Sequence, residues 1–166
     1  MIELQRMNER HFDQTHAWLA SSAGLRAQID SLAAPTPDGN RAYWRRNLSD
    51  ESRADFAIVE DGRHIGNCGL THIDRRRGKA ELWIYLGERR GGGGGSSALK
   101  LLLDHAFGPL GLRRVHLRVV ETNDRVVEFY RRAGFQIEGR ARADTLQDGR
   151  SIDSILMSIL AHEHRR

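Results

Sequence analysis

The sequence predicts one α/β domain over residues 1–166, a mixed sheet of about seven strands with about four helices. Two observations carry this. Short apolar or alternating runs recur along the chain, and two stretches with helical spacing separate strand-like runs in its second half. The helix expected over 96–107 joins the runs at 80–86 and 115–120, and a connection of that length makes them parallel neighbours.

Ile2 to Met7 alternates apolar and polar as a half-buried strand does. Asn8 can cap a helix through Phe12, His16, Trp18 and Leu19 that ends near Gly24. Pro35 to Asn40 reads as a turn-rich loop before a short helix with Tyr43, Trp44 and Leu48. Phe56 to Val59 ends at Asp61-Gly62, a hairpin signal, and runs at 65–73 and 80–86 follow. Ala98, Leu99, Leu102, Leu103, Ala106 and Phe107 give the next helix its apolar face, and Gly108-Pro109 stops it. After the strand at 115–120, Asn123 caps a helix to Ala133, with Gly134 in the left-handed closing position. Two strands, 135–143 and 152–160, flank a turn at Asp148-Gly149.

Composition narrows the class. No apolar run approaches the ~20 residues that cross a bilayer, and the first residues have no signal-peptide core, so a cytoplasmic location without membrane contact is expected. Cys68 is the only cysteine, which excludes an intrachain disulfide and a cysteine-based zinc cage and suits an inert buried thiol. The net charge of +4 comes almost wholly from scattered arginines. No nucleic-acid-binding motif accompanies them, and nucleic acid is not an expected partner. His162, Glu163 and His164 lack a further ligand set, so no metal is expected.

Arg90 and the five glycines Gly91, Gly92, Gly93, Gly94 and Gly95 lie between a strand and a helix, followed by Ser96. Backbone N–H groups at such a junction can form an anion-binding concavity, and the helix dipole adds positive potential. A Walker A loop would need a lysine after the glycines, and a dinucleotide fingerprint belongs to a first strand–turn–helix unit. A flexible linker is the remaining alternative, and the periodic structure on both flanks disfavours it.

These residues resemble the GNAT superfamily of acyl-CoA N-acyltransferases. Arg90, Gly93 and Gly95 match its cofactor motif, Asn123 and Tyr130 match its Asn-to-Tyr helix motif, and Gly134-Phe135 follows as in the family. The segment ELWIYLGERRGGGGGSSALKLLLDHAF and the tail IDSILMSIL are similar to the branch that acetylates ribosomal-protein amino termini, polyamines and nucleotide-linked amino sugars. Five successive glycines depart from the usual alternation with larger residues, which makes ordering this loop entropically costlier.

The resemblance implies a splayed central parallel pair with the pantetheine arm of acetyl-CoA between the strands. Backbone groups of Ile84 and Leu86 would hold that arm, Gly91 to Ser96 the pyrophosphate, and Asn123 the pantetheine or phosphate. Tyr130 would protonate the leaving sulfur, and Glu81 would take the amine proton, with His72 a weaker candidate base. The bland readings are a helix cap for Asn123, a core aromatic for Tyr130 and a salt-bridged strand carboxylate for Glu81. Trp44 and Tyr85 are expected at the acceptor, although Trp18, Tyr43 and Trp44 also suit simple packing. The arginines Arg26, Arg41, Arg45 and Arg46 disfavour a polycation, so an amino sugar, free or nucleotide-linked, or a protein amino terminus is the expected acceptor. The alternatives are a polyamine acetyltransferase and a non-catalytic acyl-CoA-binding module. A homodimer would be ordinary.

Overall fold

The computed structural model describes residues 1–28, 34–88 and 92–164. Strands β1 (Ile2–Arg6), β2 (Ala54–Glu60), β3 (Arg63–Asp74), β4 (Lys79–Leu86), β5 (Arg114–Val120), β6 (Gln136–Gln147) and β7 (Arg150–Leu160) form one sheet in the order β1-β2-β3-β4-β5-β7-β6. All neighbours are antiparallel except β4 and β5. The hairpin turns at Asp61-Gly62 and Asp148-Gly149 both place successive residues at positive φ, the geometry that matches strand twist.

Helices α1 (Phe12–Ser21), α2 (Ala23–Gln28) and α3 (Pro37–Leu48) follow β1. Helix α4 (Gly94–Phe107) links β4 to β5, α5 (Asp124–Arg132) links β5 to β6, and the short α6 (Ala161–His164) follows β7. The helix expected to run to Gly24 breaks at Ser22, whose extended backbone separates α1 from α2. Helix α3 begins inside the stretch read as a loop. Thr36 caps it through its side chain, Pro37 fills the first turn, and these start signals outweigh Gly39.

The sheet has two dissimilar faces. Ala98, Leu99, Leu102, Leu103, Ala106 and Phe107 of α4 pack on one face against Ile58, Leu70, Leu82, Val115 and Leu117, all in one buried cluster. Helix α5 closes the same face with Tyr130, Val126, Val127 and Phe129. Cys68 is fully buried there, and burial pushes its thiol up, as expected of an inert cysteine. On the opposite face α1–α3 cover the sheet through two aromatic clusters, Trp18–Leu19–Leu25–Tyr85 and Met7–Phe12–Trp44, with Trp83 packed against both.

At the start of α1 His11 is buried, and His64, half-buried, packs against it. His11 closes a capping box by accepting the Asn8 N–H on Nδ1 at 3.2 Å, and its ring meets that of His64 at 5.0 Å. Burial pushes His11 down to about 4 and also lowers His64. The unfolded chain takes up these protons below the ordinary value of 6.5, whereas folded His11 resists until about 4. This contribution to stability is complete above pH 6.5 and is lost as pH falls toward 4. Glutamine can serve the same position of a capping box. His11→Gln should therefore give a shallower fall of melting temperature across that interval than the parent; an unchanged slope would assign the acid sensitivity elsewhere.

Candidate active site

The β4–β5 ladder holds only three registered pairs, Lys79–Arg114, Ala80–Val115 and Glu81–His116. Beyond Glu81 the strands share no register, although β4 runs to Leu86 and β5 to Val120. A parallel pair that parts in mid-sheet leaves a cleft whose vertex is the Glu81–His116 pair.

Strand alternation assigns the residues of β4 to two sides of this cleft. Ala80, Leu82, Ile84 and Leu86 belong to the α4–α5 face. Ile84 pairs with Cys68 and Leu86 with Gly66 on β3. Tyr130 shares the buried cluster of Cys68, Leu82, Leu117 and Val119 and has the rings of Phe129 and Phe135 at 5.2 and 5.4 Å. It is 6% exposed, and burial pushes its phenol up, so the side chain keeps its proton.

The start of α4 borders the open end of the cleft. Gly92 and Gly93 take φ of 88° and 84°, and Gly93 is the helix N-cap. The helix starts within the glycine run, two residues before the expected Ser96. Its first N–H groups have no intrahelical partners, and its first turn carries no acid to offset the dipole. A Cβ on Gly95 would lie 3.7 Å from Leu86 Cδ1 and 3.9 Å from the Phe129 ring, so β4, α4 and α5 converge here. Arg90 and Gly91 lie outside the described residues.

Between α4 and α5 runs a groove of about 830 Å³, lined by Ser96, Lys100, Arg125, Phe129 and Arg132 among others. Lys100, Arg125 and Arg132 escaped the sequence reading. Their signal was helical spacing, since Lys100 lies one turn after Ser96 and Arg125 and Arg132 two turns apart on α5. Asn123 caps α5 by accepting the Val126 N–H at 3.3 Å. Lys100 pairs with Asp104 at 2.8 Å and Arg132 with Glu128 at 3.0 Å; the helix-start donors and Arg125 fit a phosphorylated ligand entering at the glycine run.

On the other face Glu81 is held from two sides. His72 Nδ1 lies 3.2 Å from Oε2 and Arg118 Nε 3.4 Å from Oε1. Arg118 also pairs with Asp144 at 3.1 Å, so two carboxylates share one guanidinium, an excess of one formal negative charge. Trp44 and Tyr85 are 4% and 3% exposed. Trp44 meets the Phe12 and Trp83 rings at 6.4 and 6.2 Å. Asn67 Nδ2 donates to the Tyr85 hydroxyl at 2.6 Å and to Thr15 Oγ1 at 2.9 Å. Both aromatics thus stand inside the wall of this face, in the packing role already weighed for Trp44. Arg41 pairs with Asp13, Arg45 with Glu9, and Arg26 donates to the Leu19 and Ala20 carbonyls. These arginines are already engaged and weigh little against a cationic acceptor. Among the described residues no group of three or more His, Cys, Asp or Glu could hold a metal.

The fold is that of known N-acetyltransferases: the Vibrio cholerae spermidine N-acetyltransferase, solved in complex with CoA and spermine, matches with a TM-score of 0.93 over 99% of this chain and 98% of that one, at 22% identity. The model of the acetyltransferase (GNAT) domain matches residues 2–136, and the chain belongs to that family. Escherichia coli spermidine N(1)-acetyltransferase is 29% identical over 122 residues, 73% of this chain and 66% of that protein. The Bacillus subtilis putative ribosomal N-acetyltransferase YdaF is 30% identical over 121 residues, 72% and 66% respectively. The chain thus spans about two thirds of these relatives' lengths.

Gly93 offers a clean test of the loop, because nothing lies within 4 Å of an added Cβ and only its left-handed φ of 84° resists substitution. Gly93→Ala should cost about 1–2 kcal/mol of stability in denaturant unfolding and weaken CoA binding. Full stability and affinity would mean that this conformation is not needed.

Proposed function

We propose that this chain transfers the acetyl group of acetyl-CoA to a primary amine, and that the acceptor is a small polyamine. The cleft beyond Glu81, with the N-terminus of α4 at its open end, is the observation that carries the reading. The excess negative charge at Glu81 and Asp144 suits an ammonium, and the polyamine names of the relatives favour the acceptor class first given as the alternative. The amino-sugar expectation has no counterpart among those relatives. A protein amino terminus remains the second reading, supported by the YdaF likeness.

The geometry supports the following roles. The backbone of Ile84 and Leu86 lies along the cleft wall where an extended pantetheine arm would run, and the Leu86 amide could polarise the thioester carbonyl. The first N–H groups of α4, from Gly94 to Ser96, would hold the pyrophosphate, with Arg90 and Gly91 preceding them in sequence. Arg125 extends that potential along the groove, while Lys100 and Arg132 are shared with Asp104 and Glu128. Asn123, beside its capping role at the start of α5, would bond the arm. Glu81 and Asp144 draw the ammonium to the vertex from the opposite face. Trp44 and Tyr85 shape that face from behind.

Tyr130 is the proton donor to the departing sulfur. Its retained proton is the form required, and desolvation that raises a phenol also raises a thiol in the same cleft, so the gap between them need not widen.

Acetyl-CoA at about 100 times its dissociation constant should raise the melting temperature by about 5–10 °C. Thiol release should follow on adding spermidine or spermine in preference to amino sugars or peptides. Stabilisation without turnover of any amine would identify an acyl-CoA-binding module instead. Tyr130→Phe should lower kcat about 100-fold with acetyl-CoA affinity nearly unchanged; undiminished steady-state turnover would remove Tyr130 from the mechanism.

A further inference from the structure

The vertex pair sets a histidine beside Glu81. Val115, Leu117 and Val119 are buried on the α4–α5 face, so alternation brings His116, with Arg114 and Arg118, to the acceptor face. The Nδ1 atom of His116 is shielded from solvent and has no hydrogen-bond partner. A buried ring nitrogen left without a partner beside the last registered pair of the ladder needs an explanation.

We propose that His116, rather than Glu81, is the general base that takes the proton of the incoming ammonium, with Glu81 stabilising the imidazolium that forms. The inference rests on the transferase reading above. The neutral, half-buried ring accepts one N–H proton, and the freed lone pair forms the C–N bond to the thioester carbonyl. As the C–S bond breaks, Tyr130 gives its phenol proton to sulfur and regains one from the amide nitrogen. His116 then returns its proton to solvent, so one proton is released per turnover.

The surroundings agree with this assignment. Burial lowers His116 below the ordinary imidazole value, which keeps the ring neutral and ready to accept a proton at pH 7. The charged groups that act on it are Glu81 and Lys79 on β4, Arg114 on β5 and Glu138 on β6. Arg118 on β5, with Asp144, and His72 reach it through Glu81. Strand β7 presents Ser158 opposite it and no charge.

The test is the pH dependence of kcat/KM for spermidine in the parent, His116→Gln, His116→Asn and Glu81→Gln enzymes, with acetyl-CoA thermal shifts confirming that each variant folds. Both His116 variants should lose about 100-fold at pH 7 and the acidic limb of the profile. His116→Ala should regain turnover with added imidazole. Glu81→Gln should keep the limb and move it to lower pH, because a carboxylate that favours the imidazolium has gone. Loss of the limb in Glu81→Gln, or its persistence in the His116 variants at any rate, overturns the assignment. A parent that binds acetyl-CoA but turns over no amine overturns the transferase reading and the base with it, whereas active His116 variants overturn the base alone.

Discussion

A parallel ladder that stops after three pairs is the constraint on which the rest of this structure depends. A continuous ladder would pair the backbone of β4 with that of β5 and leave no edge for a ligand. Because the ladder ends at Glu81–His116, the second half of β4 is tied to the sheet only through β3. The α4–α5 layer must then hold the parted strands. The contacts of Leu82, Leu117 and Val119 with that layer, and the meeting of Leu86, Gly95 and Phe129, show how it does so.

The same strand separates two environments one residue apart. Ile84 and Leu86 face a dry layer containing Tyr130, where a phenol keeps its proton. Glu81 faces an ion-paired cluster that can receive a cation. A reaction that protonates sulfur and deprotonates nitrogen requires these opposed surroundings on the two sides of one carbonyl carbon. Gly87 fixes the corner between them. A Cβ there would fall 1.9 Å from the Trp18 ring, so α1 packs directly on the chain leaving β4.

Much of this was legible in the sequence because it is local. The hairpins at Asp61-Gly62 and Asp148-Gly149, the apolar face of α4 and the left-handed Gly134 declare themselves within a few residues. The glycine run at the start of α4 and the Asn123 cap of α5 are local features of the same kind. The acceptor side depends on contacts between distant segments. His116 became visible only when register placed it beside Glu81, and the shared Arg118 linked Asp144 to them from β6. The weight of Arg26, Arg41 and Arg45 was not legible, because charge in a sequence says nothing of the carboxylates and carbonyls that occupy it. Trp44 and Tyr85, expected at the acceptor with packing already weighed for Trp44, are buried by ring packing and the Asn67 network, contacts that local sequence does not display.

The claim beneath all of this is that the parted edge of β4 and the first turn of α4 together receive CoA. Amide hydrogen exchange of the intact chain, with and without CoA, measures it directly. Slower exchange concentrated at Trp83–Leu86 and Gly92–Ser97 is the result expected. Unchanged exchange in both segments, with CoA bound and protection appearing elsewhere, would contradict it.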